Sequence, residues 1–331
     1  MTLAMKYLKI FFLVILIVAA VSSLLSLLLP RQTKPQFTIA LSAAQSRYLG
    51  IEPTRLLDEM LAELKPRHFR LQADWDAIEP ILGRYDFNEL DNLIKKISQA
   101  GATVTLAVGR KLPHWPECHD PSWLKTLKPW EVEASQFAMV TAVINHYRGN
   151  PAITRWQVEN EPLFAFGICP PPNWHRLQRE RDLVKSLDAR PILITDSGEL
   201  SPWLETGWLA DQVGATLYRV TWNKFTGYFN YFLPPLFYRA KAALLAVLGK
   251  PVIISELQLE PWAPTGLTNL TTAEINKSLS PAKFKANVKF FQAIGFNEAI
   301  VWGMEWWYYM KLNNEPVYWD LGRELFSELK P

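Results

Sequence analysis

Trp156-Gln157-Val158-Glu159-Asn160-Glu161-Pro162 begins as an apolar strand and runs directly into an Asn-Glu-Pro turn. Glu256 lies 95 residues beyond Glu161 and ends a second apolar run, Val252-Ile253-Ile254-Ser255. A carboxylate that closes a buried strand costs free energy unless a polar site receives it. Two such strand ends in one chain therefore point to a shared site, and the fold must bring them together.

Working outward, the chain alternates short Val/Ile/Leu-rich runs with amphipathic stretches. Eight runs read as strands: Phe37–Ser42, His68–Trp75, Ala102–Gly109, Ile153–Asn160, Pro191–Asp196, Ala215–Trp222, Pro251–Glu256 and Glu298–Glu305. Their continuous apolar character suits parallel strands covered on both faces. Between them, Thr54–Leu64, Asn88–Ala100, Glu131–Tyr147, Trp174–Leu187, Trp203–Asp211, Pro235–Leu248 and Pro281–Ile294 carry helical periodicity, and Glu324–Leu329 closes the series. Gly101 follows the second of these as a stop signal. Eight strand–helix alternations in residues 36–331 predict one α/β domain, a (β/α)8 (TIM) barrel. The rival, an open doubly wound nucleotide-binding sheet, lacks a Gly-x-Gly-x-x-Gly turn and a P-loop. The run Trp262–Ser280, rich in Thr, Asn and Pro, reads as a long loop after the seventh strand.

Residues 1–35 stand apart. Ile10 to Leu29 is a run of 20 residues without a charge, flanked by Lys6 and Lys9 before it and Arg31 and Lys34 after it. That length favours a membrane anchor over a cleaved signal, whose apolar core is shorter, although Ala19-Ala20-Val21-Ser22-Ser23 keeps cleavage open. Either reading places the barrel outside the cytoplasm, membrane-anchored through residues 10–29 or secreted. The balanced basic flanks leave orientation open. Without this segment the chain has 31 basic and 32 acidic residues, a net of −1, so no basic stripe suggests nucleic acid. The two cysteines, Cys118 and Cys169, follow strands expected to be neighbours. In an exported protein they either pair or stay free. The five histidines form no His-x-x-x-His pattern, and no cofactor or metal is expected.

Barrel enzymes work at the C-terminal ends of their strands. Glu161 ends the fourth strand and Glu256 the seventh, and one chemistry that needs such a pair is cleavage of a glycosidic bond. The second strand and its loop (Arg70-Leu71-Gln72-Ala73-Asp74-Trp75, Ile78-Glu79-Pro80, Gly83-Arg84-Tyr85-Asp86-Phe87), the third (Ala102–Gly109 to Pro113-His114-Trp115-Pro116) and the eighth (Val301-Trp302-Gly303-Met304-Glu305-Trp306-Trp307) complete a pattern. The chain resembles the retaining (β/α)8 glycoside hydrolases of clan A, the cellulase/xylanase/β-galactosidase superfamily. The resemblance implies Glu161 as acid/base and Glu256 as nucleophile in double displacement on a β-linked glycan. It implies Asn160 on the sugar 2-hydroxyl, Arg70 and Tyr218 in support of Glu256, and Trp302 beneath the sugar.

Each position has a plainer reading. A strand-end carboxylate can simply charge the next helix's first turn. Glu260 competes with Glu256, and Glu159 shares the strand face of Glu161 by alternation and can pair with a basic residue lower in the barrel. Arg70 can pair with Asp74 or Glu79, and Tyr218 can be core. Glu305 is a ligand or a loop charge, and His114 and Trp115 bind sugar or brace their loop. Asp196 and Trp222 are weaker rim candidates, and one of Trp302 and Trp306 should pack outward. The functional alternatives are a catalytically silent carbohydrate-binding barrel and a transglycosidase using the same residues. Oligomeric state is open.

Overall fold

The computed structural model describes residues 3–327, apart from the side chains at 3, 4, 6, 10, 11, 14, 15, 17 and 19. Eight parallel strands close a barrel: β1 (Gln36–Ala40), β2 (His68–Gln72), β3 (Thr103–Val108), β4 (Ile153–Val158), β5 (Ile192–Asp196), β6 (Gln212–Leu217), β9 (Val252–Gln258) and β10 (Glu298–Trp302). A separate antiparallel hairpin, β7 (Val220–Asn223) and β8 (Gly227–Asn230), follows β6 and takes up the expected Trp222. The sixth barrel strand starts at Gln212, earlier than expected. Polar Gln212 obscured that start in the sequence, yet its carboxamide accepts a hydrogen bond from Arg155 inside the barrel.

The outer faces of the strands pack under the helices. Asn88–Gln99 buries Leu90, Leu93, Ile94 and Ile97 and stops where Gly101 adopts φ +72°, at the position the sequence marks. Each such side chain contributes on the order of 1.5–3 kcal/mol when fully buried. Inside the barrel a second, small apolar cluster of Ala40, Leu193, Ile253 and Ile300 separates a polar floor from the mouth. The expected helix Thr54–Leu64 becomes Pro53–Glu59 followed by a wider π turn, Met60–Leu64, closed by left-handed Lys65.

Three expectations need correction. Glu305 does not end the eighth strand: β10 stops at Trp302, Gly303 turns at φ +117°, and Glu305 sits in the first turn of helix Met304–Leu312. Trp262–Ser280 is not bare loop, since Leu267–Asn269 and Thr272–Ser278 are helical, the latter capped by Thr271 Oγ1. The closing helix is Val317–Ser327, longer than expected because Tyr318, Trp319 and Leu321 join its buried face; its expected end at 328–329 lies outside the described residues.

The N-terminal segment forms one helix, Leu3–Leu28. Among the described residues no helix is long and apolar enough to cross a membrane, and the expected span at 10–29 falls in part on side chains outside the description. The helix end is docked on the barrel. Arg239, on helix Pro235–Val247, donates to the carbonyls of Ser26, Leu29 and Ile294. A guanidinium there satisfies carbonyls that a helix terminus leaves without partners.

Candidate active site

The end of β4 departs from strand geometry. Glu159 (φ +59°) and Glu161 (φ +42°) are both left-handed, although neither is glycine. Each such residue costs roughly 1–3 kcal/mol and persists only where its surroundings hold it. The Glu159 carboxylate accepts the backbone N–H groups of Arg110 and Lys111 and the amide of Gln136. The N–H of Glu161 donates to Thr195 Oγ1 at 2.8 Å, and Thr195 Oγ1 donates to Asn160 Oδ1 at 3.0 Å. The two turns undo the alternation that would put both glutamates on one face. Glu159 points toward Gln136 and Glu180 on the surrounding helices, with no basic side chain as ion-pair partner among the described residues, while Glu161 enters the mouth.

Glu256 reaches the mouth by another device. The register of β9 slips against β6 between Ala215 and Thr216, and against β10 between Ala299 and Val301. Such an irregularity re-aims the side chains beside it. The Glu256 Oε2 accepts from Tyr218 Oη at 2.8 Å, and its Oε1 lies 3.8 Å from the Arg70 guanidinium. Arg70 itself donates to the carbonyl of Ser255 and pairs with neither Asp74 nor Glu79 among the described contacts.

The two carboxyls have unlike environments. Burial, then the charges of Glu256 and Glu117, hold Glu161 well above the usual carboxylate range. Burial also raises Glu256, but Arg70, Tyr218 and Asn160 work against it. The surroundings of Glu256 thus favour its ionised form, and the carboxyls around Glu161 favour its protonated one.

The other expected residues gather around this pair, with differences of role. Asn160 is buried, and its Nδ2 faces Glu117 and Glu256 without completing a hydrogen bond. His114 stacks on Trp302 with ring centroids 3.9 Å apart, so one face of that indole is already occupied. Burial and Arg70 keep His114 neutral. Trp115 is 64% exposed and meets Phe166 edge-on, and Phe166 in turn meets Trp262, forming an aromatic rim. Glu305 is wholly buried and accepts the Ser42 N–H. Trp306 packs outward on Tyr318. Asp196 turns away to accept from Thr206 and its neighbour Ser197.

Three residues at the mouth were not singled out from sequence. Lys111 donates to the carbonyls of Glu161 and Phe164 and lies 3.5 Å from Glu117. Glu117 is pushed up to about 8, chiefly by burial. Glu199 accepts from Tyr238 Oη and from the Tyr218 N–H. The available signal was position: Lys111 and Glu117 follow the third strand within nine residues of Val108. Beside them Cys118 and Cys169 are joined in a disulfide that ties the loop after β3 to the loop after β4. Among the described residues no group of histidine, cysteine and acidic side chains is placed to hold a metal ion.

Similarity to known proteins bears on this arrangement. The family model described as beta-galactosidase (glycoside hydrolase family 42) matches residues 59–135. That segment holds Arg70, His114, Trp115 and Glu117 but neither Glu161 nor Glu256. Beta-galactosidase BbgII of Bifidobacterium bifidum is 32% identical over 104 residues, which are 26% of this chain and 15% of that protein. Xylanase 10B from Thermotoga petrophila RKU-1 superposes with a TM-score of 0.56 at 14% identity, over 81% of this chain and 83% of that one. The beta-galactosidase from Bacillus circulans sp. alkalophilus gives 0.57 at 13% identity, over 82% and 50% of the respective chains. The likeness to the (β/α)8 glycoside hydrolases thus holds in fold across the barrel, and in sequence across its second and third strands.

Proposed function

We propose that this chain is a retaining glycoside hydrolase acting on a β-linked glycan, with Glu256 as nucleophile and Glu161 as acid/base. The observation that carries the reading is the unlike setting of two buried carboxyls at one barrel mouth. Glu256 faces Arg70 and Tyr218, whereas Glu161 faces other carboxyls. In the first step a Glu256 oxygen bonds to the anomeric carbon as the glycosidic C–O bond breaks. The Glu161 proton passes to the leaving oxygen. In the second step Glu161 takes a proton from water, whose oxygen replaces Glu256 at that carbon and frees its carboxylate.

Aryl β-glycosides test this, beginning with the galactoside and xyloside that the similar proteins' names suggest. Glu256→Gln should reduce turnover by about a thousandfold or more. Glu161→Gln should spare only the first step, read as a burst of released phenol, on substrates whose leaving group needs no proton, while the second step slows for all. The sugar freed in the second step should first appear as the β anomer by NMR. Unchanged rates in Glu256→Gln would move the nucleophile elsewhere, with Glu260 tested next; an inverted product would exclude double displacement. Sugar transferred to an added acceptor in preference to water would make the chain a transglycosidase.

Residues 1–35 complete the proposal as a membrane tether that holds the catalytic domain, residues 36–331, outside the cytoplasm. The uncharged 20-residue run supports this. The full chain should then stay with membranes through alkaline carbonate washing. Its recovery in the wash would remove the tether.

A further inference from the structure

The two-carboxyl mechanism leaves one part of the mouth unused. Apart from Glu199, which Tyr238 and the Tyr218 N–H hold, five carboxyls line it, from Glu117, Glu161, Glu256, Glu260 and Glu305, near two cations, Arg70 and Lys111. Arg70 faces Glu256, and Lys111 faces Glu117. Glu260 and Glu305 have no lysine or arginine within ion-pair distance among the described residues.

Both are held in place by one oxygen and left open at the other. Glu260 Oε1 accepts the Trp302 indole N–H at 2.7 Å, and Glu305 Oε1 accepts the Ser42 N–H at 2.6 Å. The second oxygen of each is buried without a partner. So is Nε2 of His114, a side chain only 4% exposed that approaches Glu305 Oε1 at 4.0 Å. Purely structural carboxyls in an interior normally have their hydrogen bonds completed. Glu260 is the partly exposed member of the two, on the loop beside Trp302, while Glu305 lies behind it. Their mutual repulsion helps push Glu260 up to about 8.

The chemistry of this wall selects among sugars. A uronic acid would bring a negative charge beside carboxyls that already disfavour one, as their raised values show. An N-acetyl group would offer one N–H and turn its carbonyl and methyl toward carboxyl oxygens. A hydroxyl can satisfy one open oxygen but brings no charge that would favour ionised Glu260. A primary ammonium brings three donors and a positive charge, and charge-assisted hydrogen bonds are the stronger kind.

We infer that the sugar bound at this mouth carries a free amino group, and that Glu260, backed by Glu305, is the residue that receives it. This inference rests on the glycosidase reading for its choice of a sugar as ligand.

Binding tests it without turnover. Methyl thio-β-glycosides, which resist cleavage, would be titrated calorimetrically into the full-length wild-type chain below the amine's pKa. The probes are glucosamine, galactosamine and mannosamine forms, their N-acetylated counterparts and the neutral hexoses. At least one free-amine sugar should bind about tenfold tighter than both its N-acetylated and its neutral partner. Glu260→Gln, which keeps the shape and the Trp302 contact, should bring that ratio toward one. Equal affinities in the wild type, a preference for the N-acetylated sugar, or a ratio unchanged in Glu260→Gln would overturn the inference. The wild-type comparison stands even if the variant does not fold. Hydrolysis confined to neutral aryl β-glycosides would sink the amino-sugar inference and leave the glycosidase reading intact. Selective amine binding with no aryl β-glycoside cleaved would do the reverse.

Discussion

The floor and the mouth of this barrel bury charge in opposite ways. At the floor, Arg155 grips Glu298 through two contacts at 2.8 and 3.0 Å, and donates also to Thr105 and Gln212. Glu298 accepts from Thr38 as well, so the pair is closed on itself. At the mouth, Arg70 stands 3.8 Å from Glu256, and both present atoms without hydrogen-bond partners. Similar residue types sit in the same enclosed space, with the cluster of Ala40, Leu193, Ile253 and Ile300 between them. A satisfied buried ion pair fixes the packing of strands. An unsatisfied one holds groups ready for something else to complete, and buried polar atoms left open call for such an explanation.

The largest expected effect breaks the floor. Glu298→Gln would leave the Arg155 charge without its partner, at a cost of about 3–5 kcal/mol. Glu305→Gln at the mouth removes a carboxyl that, among the described residues, has no lysine or arginine within ion-pair distance and that burial pushes up to about 7, so it should be neutral or stabilising. Urea unfolding of both variants at neutral pH checks the pair. Equal losses from the two would erase the distinction between floor and mouth.

A smaller effect sharpens the mouth. Tyr218→Phe deletes the one conventional hydrogen bond made to the Glu256 carboxylate among the described residues. A bond to a charged acceptor is worth about 1.5–3 kcal/mol, roughly ten- to a hundredfold in rate if it acts on the nucleophile. The loss should appear in kcat, with stability little changed. A Tyr218→Phe enzyme with wild-type kcat would return that side chain to the core.

The same contrast explains what the sequence could disclose. The alternation of Val/Ile/Leu runs with helical periodicity made the eightfold barrel readable, because burial on both faces leaves a compositional mark. Glu161 and Glu256 were readable because each follows an apolar run, although neither ends its strand as expected: β4 stops at Val158 and β9 continues to Gln258. Glu159 was misplaced because alternation assumes a continuing strand, whereas left-handed turns at Glu159 and Glu161 separate the two side chains. Glu305 was misplaced because nothing in Trp302-Gly303-Met304 distinguishes a strand's last residues from a helix's first turn. Lys111 and Glu117 lie in a loop whose path depends on the Cys118–Cys169 bond and on contacts with residues 159–167. Loop positions carry no periodicity, so their convergence had no local signal.

The smallest expected effect is a slope, and it separates the two regions by sign. Arg155 and Thr38 oppose the burial of Glu298 and hold its carboxyl below the usual range. Its contribution to stability is therefore present above the unfolded carboxyl value and lost as pH falls through the lower folded one. Glu117 and Glu260 are pushed up to about 8, and Glu305 to about 7, chiefly by burial. Their protonated forms suit the fold, so that contribution is present below the unfolded value, near 4.5, and is lost as pH rises toward 7 and 8. Each group that keeps its proton in the folded state alone tilts stability by about 1.4 kcal/mol per pH unit across that window. The urea midpoint should thus fall between weakly acidic and neutral pH, and Glu260→Gln should flatten the decline. A midpoint that rises over the same range would mean that the mouth carboxyls are ionised and paired like the floor, and the contrast between the two regions would be gone.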